Sequence, residues 1–381
     1  MKEMKKGEIE ETLQEKKYDR KIQYYLMKFL EEFDELFGSF TSKQDVIERI
    51  KNNIKNIKWV DKTKDEEGEY LGLWKADTGE IFLNPCMGDR LLGDVFFHEM
   101  IHAIRTDQEG NIGLSSKYAI DGVEEKMPIG IALEEGFTQF VTNIRNIRYA
   151  NLFTGRAYDI EEKFLDIIEI DKKELVQIGI KEPETIVSKI ALAIGGNDDS
   201  KTRNTVLRLL CAMDDRLHYE LSENISEKER EEYSKNSLRL AKYAYINLRM
   251  DAIENEEELC RTLINCNELS MMFSTNLHRS RLEQRISQED IILIVNTVDK
   301  SKVNIGKAVE MLRGMDMNYL ARNLEVASGR KIKREAKESK ITPRIIEYIT
   351  QGKVHESDFQ QAMSEFVEAE KIEQEESQEK I

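Results

Sequence analysis

The chain has 381 residues, of which 57 are Lys or Arg and 73 are Asp or Glu, so its formal net charge is −16. This acidic balance argues against a nucleic-acid-binding protein, and no run approaches the roughly 18 apolar residues of a membrane span. Hydrophobic residues make up 40% of the chain, enough for a sizeable core, and the length predicts roughly two or three domains.

The cysteines and the amino terminus bear on the cellular compartment. Four cysteines stand apart without a C-x-x-C pair, which favours a reducing compartment over a disulfide scaffold. The first residues, MKEMKKGEIEETLQEKK, are charged and no apolar segment follows them, so we expect no signal peptide. The sequence therefore predicts a cytoplasmic protein, with export by a route that uses no cleavable signal left open.

The first predicted elements along the chain are helices and a hairpin. Only four prolines and 34% charged residues predict a mostly helical chain, and apolar residues at helical spacing predict one helix or two over 9–37 and another over 44–57. Two runs of strand-forming residues, 70–75 and 80–85, flank a turn that contains Asp and Gly. This pattern predicts a β-hairpin.

The remaining predicted elements are helices. Residues 91–105, LLGDVFFHEMIHAIR, are apolar on almost every side, as expected of a helix buried in a core. A second helix is predicted after Pro128, because proline is common in a first helical turn. Amphipathic patterns predict further helices at 161–170, 184–194, 202–221, 227–250, 256–273, 288–298, 305–312 and 343–349. The last residues, 368–381, are predicted to be disordered.

An H-E-x-x-H sequence, His98 to His102, lies inside the predicted buried helix. Residues four apart share one helix face, so both imidazoles can reach one metal ion while Glu99 faces a water molecule on that ion. Zn²⁺ suits imidazole ligands and lowers the pKa of such a water toward about 7, which makes Glu99 a general base. A chance match is expected about 0.01 times in this composition. The alternative is a pair of histidines satisfied within the core.

A catalytic zinc ion needs a third protein ligand, and the segment ALEEGFTQ, residues 132–139, offers two glutamates on the next predicted helix. His98 to His102 followed by Glu135-Gly136-x-Thr138 resembles the gluzincin group of zinc metallopeptidases, which includes thermolysin-like and aminopeptidase-type enzymes. The resemblance covers residues 70–150 and implies that Glu135 is the third ligand. Glu134 stands where the family usually has Asn, and Gln139 where thermolysin-like members carry an acidic residue. The alternative is a solvated helix face.

The resemblance also implies a substrate-binding strand and a group that stabilises the oxyanion. In zincins an antiparallel edge strand borders the cleft and pairs with an extended peptide, and residues 81–84 are similar to that strand; a hairpin that only covers the core is the alternative. The R-x-x-Y spacing of Arg216, His218 and Tyr219 is similar to that in clostridial-neurotoxin light chains and makes these three the catalytic candidates. Three tyrosines compete with them: Tyr118, Tyr149 and Tyr158.

Asp94 and Arg105, about one turn from the two histidines, either support the metal ligands or form salt bridges on the helix surface, and the second role is the one expected.

Together, the predicted elements and motifs indicate an α+β, predominantly helical fold. Residues 1–57 form N-terminal helices, 58–255 a zincin-like catalytic core with a small sheet and an active-site helix, and 256–367 a helical C-terminal region.

The predicted function is a zinc-dependent metallopeptidase. Zn²⁺ is its cofactor, His98, His102 and Glu135 are the metal ligands, and Glu99 is the general base. The substrate is a peptide or protein, no nucleic acid or membrane is a partner, and a protein partner of the C-terminal helices stays open. The alternatives are a catalytically silent binding or regulatory protein on a zincin scaffold, and a zinc-dependent amidase that acts on a non-protein substrate.

Overall fold

The computed structural model describes residues 18–60, 63–65, 68–118, 127–149, 158–221, 226–250, 252–273, 285–299 and 301–334. Over these ranges the protein is predominantly helical with small β-sheets, which confirms the predicted mostly helical α+β class. The predicted helix at 343–349 and the predicted tail at 368–381 lie outside the described residues. Every helix in the described ranges is too short or too polar to cross a membrane.

The described ranges contain thirteen α-helices and seven strands. The helices are α1 (Arg20–Phe37), α2 (Lys43–Asn53), α3 (Asp89–Arg105), α4 (Ile131–Arg148), α5 (Asp159–Ile167), α6 (Lys172–Lys181), α7 (Ile186–Gly195), α8 (Ser200–Leu221), α9 (Glu227–Arg249), α10 (Glu256–Met272), α11 (Gln288–Thr297), α12 (Ile305–Gly314) and α13 (Asn318–Arg334). The strands are β1 (Asn56–Trp59), β2 (Thr63–Asp65), β3 (Gly68–Tyr70), β4 (Gly72–Lys75), β5 (Glu80–Leu83), β6 (Ser116–Tyr118) and β7 (Met127–Ile129).

The chain divides into two compact units. The first consists of the described residues within Met1–Lys117, Pro128–Ile186 and Met213–Arg230. The second consists of those within Tyr118–Met127, Val187–Ala212 and Glu231–Ile381. In the second unit α12 packs on α13 and on α10, and α11 packs on α13. The first unit contains the sheet and the H-E-x-x-H helix.

The predicted hairpin forms part of a three-stranded sheet with the order β1-β5-β4. Strand β4 runs antiparallel to β5, with Trp74 opposite Ile81, and the turn closes at Gly79, whose φ is +70°. Strand β1 runs parallel to β5 on its other side, with Ile57 opposite Ile81. Strand β5 is therefore central in this sheet, and the expectation that 81–84 is the edge strand is wrong. The two edge strands of this sheet are β1 and β4.

Two predicted helix boundaries also differ from the structure. The helix predicted over 44–57 ends at Asn53, because the backbone N–H of Lys55 bonds to the carbonyl of Gly79 and Ile57 enters the sheet. Pro128 lies in β7 and not in a first helical turn; α4 starts at Ile131, after Gly130 with φ +94°. In both places a long-range pairing decides what local spacing leaves open.

Helix α3 is buried through most of its length, as its apolar sequence predicts. It packs against α1, α2, α4 and β4, and aromatic pairs mark its contact with α1: Phe97 lies 5.2 Å from Phe29 and Phe96 lies 5.7 Å from Tyr25, between ring centroids. Burying large side chains on all sides fixes the axial position of the helix. The H-E-x-x-H residues are therefore held in the middle of the core of the first unit.

Candidate metal centre

Three side chains from α3 and α4 converge on one point. The Nε2 atoms of His98 and His102 are 3.1 Å apart, and Oε2 of Glu135 lies 3.2 Å from the first and 3.4 Å from the second. His98 and His102 lie one turn apart on the same face of α3, and Glu135 faces them from the first turns of α4. The sequence analysis predicted this set, and within the described part of the chain it is the one group of at least three possible ligands that the geometry brings together.

The donor set fits zinc. A tetrahedral zinc ion with nitrogen and oxygen ligands at about 2.0–2.1 Å separates its ligand atoms by about 3.3 Å, close to the three distances above. Two imidazole nitrogens and one carboxylate also match the His₂Glu donor set of catalytic zinc sites, which leave a fourth position open. The residues that would hold the ion are therefore His98, His102 and Glu135.

Electrostatics also favours a cation at this point. Burial on its own would lower the pKa of His102, but the carboxylates of Glu135 and Glu134 outweigh it and raise that pKa to about 10. Burial on its own would raise the pKa of Glu135, but His102 and His98 outweigh it and lower that pKa. Two carboxylates thus face two imidazoles in a buried site, an arrangement that stabilises a positive charge between them.

Glu134, the neighbour of the candidate ligand Glu135, contacts His102 at its other ring nitrogen. Its Oε1 atom lies 2.9 Å from Nδ1 of His102 and accepts a bond from Nη1 of Arg105 at 2.9 Å. Its Oε2 atom accepts from the backbone N–H of Leu114 at 2.8 Å. A proton on Nδ1 of His102 that points at a carboxylate leaves Nε2 free to bind a metal and fixes the orientation of the ring. Glu134 is therefore buried as an orienting group.

Arg105 and Asp94 are both buried, so the expected role in salt bridges on the helix surface is wrong. Arg105 pairs with Glu134 and also donates from Nε to the carbonyl of Gly179 at 2.6 Å. Asp94 pairs with Arg145, at 2.6 Å between Oδ1 and Nη1. Arg105 thus stabilises the carboxylate that orients His102, while Asp94 joins α3 to α4. The sequence could not show this, because burial depends on helices far away along the chain.

The packing around α4 explains why a glycine and a threonine stand at positions 136 and 138. A Cβ on Gly136 would lie 2.3 Å from the carbonyl oxygen of Glu161, so only glycine lets α5 approach α4 this closely. The hydroxyl of Thr138 donates to Oε1 of Glu134 at 3.2 Å. The E-G-x-T segment therefore combines a candidate ligand, a close helix contact and a hydrogen-bond donor to Glu134.

Glu99 lies at the same cavity as the three ligand atoms. It is 8% exposed, and burial raises the pKa of its carboxyl group. It accepts a hydrogen bond from the backbone N–H of Trp74, in the edge strand β4. A Cβ on Gly72 would lie 3.0 Å from its Oε1 atom, so the glycine lets the strand approach this carboxyl group. Glu99 is thus held between the candidate metal site and the edge of the sheet.

The cavity at the site has a volume of about 340 Å³, within the range of small-molecule and peptide-binding pockets. Its walls come from β4, from the loop and strand after α3, and from the start of α4. Its apolar lining includes Leu73, Trp74, Ile112, Ile131 and Leu217. An edge strand, a buried carboxyl group and a candidate metal site therefore open onto one cleft.

The three downstream catalytic candidates have different surroundings in the structure. Arg216 is buried and forms an ion pair with Glu161 of α5. His218 is exposed, and neither it nor Arg216 is among the residues that line the cavity. The side chain of Tyr219 lies outside the described residues. The structure therefore gives Arg216 a contact that stabilises α5, while the predicted catalytic role of this group stays a prediction.

Among the competing tyrosines, Tyr158 is the one at the cavity. Its ring stacks on the imidazole of His98, with ring centroids 5.6 Å apart and an interplanar angle of 14°. Tyr149 bonds instead to Glu35, at 2.7 Å, and Tyr118 does not line the cavity. Nothing in the local sequence around Tyr158 distinguishes it, because its position depends on the packing of α5 against α4.

The sequence analysis did not identify Asp214, whose carboxyl group caps the amino terminus of α4. Its two carboxylate oxygens accept the backbone N–H groups of Gly130, at 2.7 Å, and Ala132, at 2.8 Å. Gly130 has no side chain for this capping role, so a residue of α8 performs it. Burial raises the pKa of Asp214 to about 7. No spacing rule connects residues more than eighty positions apart.

The chain was compared with protein-family models, with curated proteins and with solved structures, and none of the three comparisons gave a match.

Proposed function

We propose that the protein is a zinc-dependent metallopeptidase of gluzincin-like type, with a zincin-like core in its first unit. The observation that carries the proposal is the convergence of the three ligand atoms of His98, His102 and Glu135 within 3.1–3.4 Å, with Glu99 at the same cavity. A structural pair of histidines would not need a carboxylate that completes a zinc-sized triangle. A solvated glutamate face would not bury Glu134.

The proposed chemistry assigns one role to each group. Zinc bound by the three ligands would lower the pKa of a water molecule toward about 7 and polarise the carbonyl group of the peptide. Glu99 accepts the proton of the water molecule as its oxygen attacks the carbonyl carbon. The same carboxyl group then gives this proton to the amide nitrogen, and the C–N bond breaks. Burial raises the pKa of Glu99, and a raised pKa favours retention of the proton on its carboxyl group between these two steps.

The substrate would lie along β4, because this strand is at an edge of its sheet and lines the cavity, and extended peptides add to exposed strand edges. Gly72 and Trp74 are in the part of β4 that lines the cavity. A peptide beside them is close to Glu99, which bonds to the N–H of Trp74. The edge strand and the general base are therefore joined by one hydrogen bond, which supports their use on the same substrate.

Tyr158 is our candidate for the group that stabilises the oxyanion. Its ring stacks on His98 and lines the cavity, so its hydroxyl belongs to the side chain closest to the site among the downstream candidates with described side chains. A hydrogen-bond donor at the developing oxyanion is worth about a hundredfold to a thousandfold in kcat. Arg216 would act on catalysis only indirectly, through its ion pair with Glu161 in the first turn of α5.

The test is metal analysis together with peptide hydrolysis. The wild-type protein should bind about one zinc ion per chain, His102→Ala and Glu135→Ala should lose it, and Glu99→Gln should keep it. Wild type should cleave peptides in a mixed library, and Glu99→Gln should not. Zinc kept by Glu135→Ala would contradict the assigned ligand set. Zinc bound by wild type without any cleavage of peptides or other amides would favour the silent scaffold, and cleavage of non-peptide amides alone would favour the amidase.

A further inference from the structure

The cleft contains one charged side chain that the metal site does not use. Lys117, in β6, lines the same cavity as the ligands, and its side chain is exposed. Of the described lining residues other than the histidines and glutamates at the metal centre, it alone carries a charge. The charge of Lys117 is therefore available to a molecule that enters the cleft.

The backbone at Lys117 is held in place by a turn. Its N–H donates to the side-chain oxygen of Asn111 at 3.3 Å. Asn111 is fixed in turn by Asp107, which accepts its backbone N–H at 2.9 Å and its side-chain amide at 2.8 Å. Asp107 also accepts the N–H of Glu109 at 2.8 Å. The backbone of Lys117, at the start of the short strand β6, is thus bonded to a turn that is itself closed by hydrogen bonds.

The ammonium group of Lys117 has no carboxylate within ion-pair distance among the residues that the structure describes. The supporting turn contains two acidic residues: Asp107 already accepts three N–H groups with its two oxygens, and Glu109 is exposed. The carboxylates of Glu134 and Glu135 are engaged with Arg105 and the histidines. A cation that is available in a cleft whose other charged side chains belong to the candidate metal centre indicates selection of an anionic group on the ligand.

We propose that Lys117 binds a carboxylate of the peptide substrate, either the side chain of an Asp or Glu residue or the C-terminal carboxylate. The inference rests on the proposed peptidase function. The chain as a whole has a net charge of −16 and repels anions, so an acidic substrate needs a local cation to dock. Ile131, 42% exposed, and Ile112 lie in the same lining and offer apolar surface to the stem of such a residue.

The test measures binding separately from turnover. Zinc-loaded Glu99→Gln protein is titrated with four peptides of one parent sequence, and binding is followed by calorimetry. The first has an amidated C terminus and Glu at one position, the second has Gln there, the third has Lys there, and the fourth has Gln there with a free C terminus. Lys117→Gln and Lys117→Glu are made in this background, and Lys173→Glu serves as the control. Lys173 is an exposed lysine of α6 that does not line the cavity.

We expect the Glu peptide or the free-carboxylate peptide to bind about tenfold or more tightly than the neutral one, and the better of the two identifies the source of the carboxylate. Lys117→Gln should abolish this preference, Lys117→Glu should reverse it in favour of the Lys peptide, and Lys173→Glu should leave it unchanged. Equal binding of all four peptides, or an equal effect of Lys173→Glu, would overturn the inference. The proposed peptidase function is tested independently: it is wrong if protein with Glu99 intact binds the peptides but cleaves none of them.

Discussion

Glu134 and Glu135 are adjacent carboxylates with different predicted roles, and replacing each by Gln separates them. Glu135 supplies a ligand atom, whereas Glu134 orients His102 and neutralises Arg105. Both changes keep the size of the side chain. Any difference between the two variants therefore reports the role of the charge and of its hydrogen bonds, and not a cavity.

The structure gives the size of the expected effect for Glu134→Gln. Oε1 accepts from His102, Arg105 and Thr138, and all of these groups are buried. Loss of a group that orients a metal-bound histidine weakens metal affinity about tenfold to a hundredfold, or about 1.4–2.8 kcal/mol. Loss of one partner of a buried ion pair costs about 3–5 kcal/mol of folding stability; because Gln keeps part of the hydrogen bonding, we expect about 3 kcal/mol.

The assay is competition for zinc with a chromophoric chelator, together with urea unfolding of the metal-free protein. Glu134→Gln should retain measurable zinc binding that is tenfold to a hundredfold weaker than that of wild type, with clearly lower stability. Glu135→Gln, a neutral amide in place of a ligand, should bind zinc far more weakly than Glu134→Gln. The reasoning is refuted if Glu134→Gln binds zinc like wild type, or if the order of the two variants is reversed.

Three further predictions concern the helices around the site. Gly136→Ala should destabilise the protein by about 1–3 kcal/mol in thermal unfolding, because its Cβ would meet the backbone oxygen of Glu161 at 2.3 Å; unchanged stability would show that α5 can move away. Tyr158→Phe should lower kcat about a hundredfold at unchanged zinc content, and a change in KM alone would contradict its role at the oxyanion. Asp214 favours folding while protonated, because its pKa is raised in the folded state, from 3.8 to about 7. Its contribution is lost as pH rises through 7, so Asp214→Asn should show a smaller fall in stability between pH 5 and 8, and identical slopes would refute this assignment.

The sequence was most informative where one element carries the information. The apolar surroundings of His98 and His102 predicted a buried helix, and α3 is that helix. The hairpin was predicted from its strand-forming runs and its turn, and β4 and β5 form it. The choice of Glu135 over Glu134 as the third ligand came from the resemblance, in which the ligand precedes a Gly, and it stays a prediction; the structure places Oε2 of Glu135 beside the Nε2 atoms of both histidines.

Pairings between distant segments could not be predicted from the sequence. The hairpin pattern is the same whichever of its strands is at the edge, and the parallel pairing of β1 with β5 places β5 in the centre and leaves β4 at one edge. Arg216 looked like a free catalytic group because its partner, Glu161, lies 55 residues away. Tyr158 had no local signal at all. The strand order is fixed by strand pairing and the two side chains by helix packing, and spacing along the chain encodes neither.

The cap that Asp214 places on α4 has a consequence for how the protein is made. All residues of the candidate metal site have been synthesised by residue 135, but the group that closes the amino terminus of their second helix follows 79 residues later. A nascent chain therefore contains every ligand before it can hold α4 in its final form. We expect zinc to be bound firmly only after α8 has left the ribosome, so that the proposed peptidase activity would begin only when the first unit is complete.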